Sequence, residues 1–214
     1  MVGKSAANSQ LHAFREAAGF LGSVDEDWAQ HVAKVGPCRH EPKPAREPYE
    51  ALVRAIAYQQ LHAKAGDAIL GRLLALYPGA AFPSPKQLLA TELTQQRACG
   101  FSATKLETIR GIAQATVEGV VPTRAQALHL SDDELIERLV TLRGVGRWTV
   151  EMFLIYTMER LDVLPADDFG VREGYRRLKG LEKSPTPREM RKIGEVFRPW
   201  RTIAAWYLWR LPAR

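Results

Sequence analysis

Residues 142–173 read "LRGVGRWTVEMFLIYTMERLDVLPADDFGVRE", and the fold turns on how this stretch is parsed. It opens with a Gly-Val-Gly turn, meets the bulky Trp148, and reaches two adjacent aspartates, Asp167 and Asp168, with no histidine or cysteine nearby. Just upstream, "SDDELIERLVTL" sets Ser131 and Glu134 at capping-box spacing and Leu135, Ile136, Leu139 and Leu142 on one helical face. Past the turn, "RWTVEMFLIYTM" begins a second helix at once. Residues 131–159 are therefore expected to form a helical hairpin. Gly144 and Gly146 permit backbone angles closed to other residues and remove side chains from the turn. The amides at the second helix's N-terminus can then approach a phosphate, which needs no contact with a base. The plain alternative is an ordinary helical corner whose glycines only allow tight packing.

Outward from the hairpin the pattern stays helical. Residues 1–10 are small and polar and are expected to be flexible, leaving 11–214 as the folded domain. Helices are expected near residues 11–21 and 25–35, before the proline-rich connector "GPCRHEPKPAREP", residues 36–48. Beyond Pro48, apolar residues recur at helical spacing: Leu52, Val53, Ile56, then Ile69, Leu70, Leu73 and Leu74. "FPSPKQLLA" and "SATKLETIRGIAQATVEG" each suit a further helix. "TPREMRKIGEVF" repeats the capping box with Thr186 and Glu189, and "RPWRTIAAWYLWRLP" is an apolar last helix. With no alternating strand and no internal repeat, the fold class is all-α.

A chain of 214 residues, 46% hydrophobic and 25% charged, suits one globular unit or two small subdomains. Thirty Lys and Arg against 24 Asp and Glu, a net +6, favour a polyanionic partner without requiring one. Cys38 and Cys99 form no ligand pattern, which argues for reduced thiols and against structural zinc or a cysteine-held cluster. No stretch has the length of a membrane span or the make-up of a secretory signal. The expected location is cytoplasmic, on the nucleoid if the source is bacterial.

The pattern "L-x-G-V-G-x-x-T" between two helices, followed by "LPADDF", resembles the helix–hairpin–helix DNA glycosylase superfamily. The nearest likeness is to its alkylpurine branch, the AlkA-like 3-methyladenine DNA glycosylase II type. The resemblance covers about residues 48–211 and implies two helical subdomains around a cleft, with the N-terminal helices packed beside the C-terminal ones. It is similar to a short form, without the N-terminal β-domain of longer members. It also implies that Gly144, Val145, Gly146, Arg147 and Thr149 grip the DNA backbone. The carbonyls of Val140, Leu142 and Val145 are the implied donors to a structural Na+ or K+, and no other cofactor is expected.

By the same resemblance Asp168 takes the catalytic place, while Asp167 shapes the turn. A carboxylate suits that place because breaking an N-glycosidic bond leaves an oxocarbenium-like sugar. It can also orient or deprotonate the attacking water. A flipped alkylated purine is already cationic and leaves readily, so no strong general acid is needed. Asp168 could equally cap a helix beginning at Phe169 or Gly170, and the two roles are compatible.

Lyase-competent relatives carry a lysine nucleophile where Trp148 stands, and Arg147 is no substitute. The resemblance thus implies a monofunctional hydrolase that leaves an intact abasic site. Trp148 and Trp209 match tryptophans that line the base pocket, where a cationic base gains roughly 0.5–2 kcal/mol over an electron-rich ring. Met152 replaces a tyrosine of the best-known relatives; it and Trp209 could also be plain core residues. "AIAYQQLHAKAG" is similar to the segment that fills the gap left by a flipped base, with Gln60 at the plugging position and Gln59 and His62 beside it. Lys105, in "CGFSATK", could reach a phosphate or simply lie on a solvated helix face.

The partner implied is double-stranded DNA with alkylated bases, bound by a monomer. Two alternatives stay open: a glycosylase for a different base, or a non-catalytic hairpin module of a repair assembly. A helical protein–protein adaptor fits the charge and the hairpin less well.

Overall fold

A computed structural model describes residues 2–41 and 46–211, with side chains from residue 9 onward. Among these residues every regular element is helical, as composition and periodicity lead one to expect. None of the helices is long and apolar enough to cross a membrane. The chain divides into two compact units, one of residues 1–42 with 159–214 and one of residues 43–158.

The first unit joins the two ends of the chain. It holds α1 (Val2–Gly22), α2 (Glu26–Val35), α11 (Phe169–Leu178), α12 (Pro187–Ile193), a 3-10 turn (Gly194–Phe197) and α13 (Arg201–Leu208). The N-terminal helices do pack beside the C-terminal ones: α1 and α2 both contact α13, and α2 contacts α11. Trp28 and Phe197, both buried, meet edge to face at 5.0 Å, and the His31 ring nitrogen lies 2.9 Å from the Tyr207 carbonyl. α1 begins at Val2, well before the expected start at residue 11. Of the segment expected to be flexible, Met1 and the side chains of residues 2–8 lie outside the described residues, as do residues 42–45 of the connector.

The second unit holds α3 (Pro48–Tyr58), α4 (Ala63–Ala75), α5 (Pro85–Ala90), α6 (Leu93–Ala98), α7 (Ala103–Val117), α8 (Arg124–Leu128), α9 (Asp132–Leu139) and α10 (Arg147–Tyr156). α7 lies against α3, α5 and α6, and α10 against α3 and α9. Leu52, Ile56, Leu106, Ile109, Leu135 and Leu154 are fully or almost fully buried in this unit. The capping boxes at Ser131/Glu134 and Thr186/Glu189 are both closed, and two more, Ser84/Gln87 and Thr123/Gln126, start α5 and α8.

Candidate functional site

In the first unit the predicted residues Asp168 and Trp209 come together. Asp168 is the N-cap of α11: its Oδ1 accepts the Val171 N–H at 2.9 Å. The same Oδ1 accepts the Trp209 indole N–H, also at 2.9 Å. Capping and the indole bond thus coexist on one oxygen of a half-buried carboxylate. Asp167 does not share this arrangement. Its Oδ1 pairs with Arg191 at 2.8 Å, which anchors the turn ahead of the helix.

Two glycines explain how α13 brings Trp209 to the cap. A Cβ on Gly170 would lie 2.9 Å from Trp209 Cδ1 and 3.0 Å from Asp168 Oδ1. A Cβ on Gly174 would lie 2.8 Å from the Leu208 carbonyl carbon. One turn apart on α11, they bare a strip of backbone against which the end of α13 rests. Neither glycine is among the residues expected at the site, although the spacing G-x-x-x-G in "FGVREGY" is their signal in the sequence.

In the second unit, α9 and α10 form the hairpin. Gly144 sits at φ +81, and a Cβ there would lie 2.9 Å from Thr108 Cγ2 and closer still to its hydroxyl. The turn is therefore pressed onto α7. Gly146 differs from the expectation: at φ −85 and ψ 163 it is the extended N-cap of α10, and a Cβ would meet nothing within 4 Å. Its missing side chain serves only to leave the helix N-terminus bare. Val145 buries its side chain under the turn, while Val140 is 40% exposed and the Leu142 carbonyl accepts the Val145 N–H at 3.0 Å.

Of the residues assigned to the DNA backbone, Thr149 is turned inward, while Arg147 is exposed but held by an ion pair. Thr149 is 3% exposed, and its hydroxyl lies 3.5 Å from Gln59 Nε2, too far buried to reach a phosphate. Arg147 pairs with the buried carboxylate of Glu151 at 2.9 Å, which offsets part of its charge. Trp148 is 43% exposed at the start of α10. Met152, one turn on, lines a cavity of about 420 Å³ with Arg54, Tyr58, Phe153 and Tyr156; Trp148 is not among the lining residues.

Between α3 and α4 the chain makes a tight turn. The Leu61 N–H donates to the Tyr58 carbonyl at 3.1 Å, Gln59 has φ −50 and ψ 130, and Gln60 has φ +56. These angles define a type II turn, whose third residue is ordinarily glycine or asparagine. Holding glutamine there costs roughly 1–2 kcal/mol. Gln60 is exposed, and exposed His62 caps α4 through its backbone without a side-chain bond.

Lys105 also departs from expectation. It neither lies on a solvated face nor reaches outward: Nζ donates to the Ala57 carbonyl at 3.0 Å and to the Gln59 carbonyl at 2.6 Å. Burial pushes its pKa below the ordinary lysine value. A cation there meets the negative end of α3 and satisfies carbonyls that the helix leaves open.

Residues 53–199 match the model of the HhH-GPD superfamily of base excision DNA repair proteins. The chain is 47% identical over 191 residues to DNA-3-methyladenine glycosylase 1 of Schizosaccharomyces pombe, covering 89% of this chain and 84% of that protein. The solved 3-methyladenine DNA glycosylase of S. pombe in complex with abasic DNA superposes with a TM-score of 0.79 at 46% identity, over 91% of this chain and 95% of the other. A DNA-3-methyladenine glycosidase from Bacillus halodurans gives a TM-score of 0.81 at 30% identity, over 91% and 88%.

Proposed function

The chain belongs to the HhH-GPD superfamily of base excision DNA repair proteins, and we infer from that premise that it excises alkylated purines, of the 3-methyladenine and 7-methylguanine type, from duplex DNA. The observation that carries the catalytic part is the Asp168 carboxylate, fixed by the Val171 amide and the Trp209 indole on one oxygen. In the reaction, the bond between sugar C1′ and the base nitrogen breaks and its electron pair leaves with the base. A base that carried a positive charge departs neutral, so no acid need protonate it. The sugar is left oxocarbenium-like, and a pre-oriented carboxylate stabilises that charge without reorganising. Water then adds at C1′ and gives up a proton to the carboxylate, leaving an abasic site.

Trp148 supports water rather than an amine as the nucleophile, because it stands where lyase chemistry would require a lysine. Its exposed ring offers a cationic base a π-face, as does the half-buried Trp209. The hairpin turn, bare at Gly146, serves to hold a phosphate, and Gln60 serves to fill the space of an extruded base. The hairpin carbonyls of Val140, Leu142 and Val145 would be the donors to a Na+ or K+ ion, the Leu142 oxygen through the lone pair left beyond its bond to Val145. Such an ion would add positive charge beside the phosphate. The protein acts as a monomer in this reading.

The test is release of free bases from methylated duplex DNA by wild type and Asp168→Asn, followed by mild alkali. Asparagine caps helices as well as aspartate does, so the variant keeps its fold. Base release by wild type alone, with strand breaks only after alkali, is the expected result. Turnover by the variant would remove Asp168 from the mechanism, and breaks without alkali would contradict water as the nucleophile.

A further inference from the structure

The turn that carries Gln60 is held in a conformation that glutamine does not favour. Type I and type II turns share their first dihedral and differ by a flip of the central peptide, here the one joining Gln59 to Gln60. In the type I form Gln60 would return to negative φ and relieve its strain, and its side chain would leave the chain in a different direction. Something must therefore oppose the flip. The Gln59 carbonyl belongs to that peptide, and the Lys105 ammonium grips it at 2.6 Å while also holding the Ala57 carbonyl of the helix behind it. Flipping the peptide would pull the Gln59 oxygen off a charged, partly buried donor. Two further contacts fix the base of the turn, the Tyr58 hydroxyl on Asp67 and the Gln59 amide near Thr149. Neither touches the central peptide.

We propose that Lys105 is a positioning residue whose ammonium locks the Gln59–Gln60 peptide in the type II orientation, so that Gln60 is set in advance to enter a DNA duplex. This rests on the reading of Gln60 as the side chain that fills the gap behind an extruded base. Lys105 acts on that step alone. Its loss matters where a base must be pulled from an intact stack, and little where the base is already unpaired.

The experiment measures single-turnover excision of a methylated purine in two duplexes, one with the lesion opposite its normal partner and one with it opposite an abasic site. Lys105→Met, Gln60→Ala and the double variant are compared with wild type, with thermal melting recorded for each. Loss of a charged hydrogen bond at the turn should slow Lys105→Met by about tenfold or more on the paired lesion. Opposite the abasic site the effect should stay under about threefold, since little unstacking remains to be done. In the Gln60→Ala background the lysine change should add less than about twofold, as expected for residues acting through one another. Lys105→Arg, which keeps the charge and the donors, should recover most of the paired rate. Where Lys105→Met melts early, Lys105→Gln carries the same comparison. Equal slowing on both duplexes, or full additivity with Gln60→Ala, would overturn the role of Lys105 while leaving Gln60 in place. A Gln60→Ala enzyme as fast as wild type on the paired lesion would overturn both readings together.

Discussion

The Trp209 indole nitrogen lies 2.9 Å from Asp168 Oδ1, and the contact exists because Gly170 has no side chain. An aspartate that only capped α11 would need no second donor. The indole holds the carboxylate at a fixed angle, and the glycine leaves the space in which the indole lies.

Gly170→Ala should therefore harm catalysis more than folding. The new methyl group would sit 2.9 Å from Trp209 Cδ1 and 3.0 Å from Asp168 Oδ1, so the ring must move and its bond must lengthen. Misplacing a catalytic group by a fraction of an ångström is expected to cost on the order of tenfold in rate. Duplex affinity should stay as in wild type. Gly174→Ala is different, because its methyl group would press on the Leu208 backbone, which has nowhere to go. It should destabilise the protein by about 1–3 kcal/mol, read from denaturant unfolding. If Gly170→Ala excised bases at the wild-type rate, the indole contact would be structural only.

Trp148→Leu should separate charged from neutral bases. The ring's electron-rich face favours a cationic methylpurine, and a smaller aliphatic leucine offers no such face. Excision of 7-methylguanine should fall about 3- to 30-fold, as expected for loss of a cation–π contact, with a smaller change for neutral hypoxanthine. Parallel single-turnover assays on the two bases make the comparison. Equal losses would mean that the ring acts by shape.

Much of this architecture is legible in the amino-acid sequence. The helical hairpin, the capping boxes at Ser131 and Thr186, and the packing of both chain ends into one unit follow from periodicity, cap residues and family likeness. α6 and α8 are too short to establish a period, and neither has the proline in its first turn that marks the equally short α5. The turn at Gln59–Gln60 was hidden for another reason. A type II turn announces itself by glycine at its third position, and here glutamine is forced into that place by a lysine 45 residues further along. No local pattern records such a contact. Thr149 departs from the expectation because a helix's first turn has an inward face as well as an outward one, and Thr149 lies on the inward one.

Acid should weaken the fold in a defined window. Hydrogen bonds from Arg176, Ser184 and Arg177 hold the Glu173 carboxyl well below the usual range. Bonds from the Ser131 backbone and side chain lower Glu134, those from Thr186 lower Glu189, and Arg198 lowers Glu195. A depressed folded pKa gives stability that is present above the unfolded value, about 4.3 for Glu, and is lost as pH falls through the folded value. The melting temperature should be flat from pH 7 to about 5.5 and drop progressively below about 4.5. Glu173→Gln should shallow that drop. A melting temperature that rose on acidification would contradict the assignment.

The two hairpin glycines should fail in different ways. At Gly144, φ +81 and the packing of Thr108 both exclude a side chain. Gly144→Ala should cost about 1–3 kcal/mol of stability and displace the turn, weakening DNA binding as a consequence. At Gly146 the backbone suits any residue and the space is open, so Gly146→Ala should cost within about 1 kcal/mol, the loss of a good N-cap residue. Its methyl group would instead stand where a phosphate approaches the α10 amides. Affinity for methylated and unmodified duplex should fall alike, since a backbone contact carries no base information. Titrations at several salt concentrations complete the test: wild type should weaken steeply with salt, and Gly146→Ala should show a shallower slope by about one released counterion. A Gly146→Ala protein with wild-type affinity and slope would show that the hairpin's bare N-terminus does not hold the phosphate.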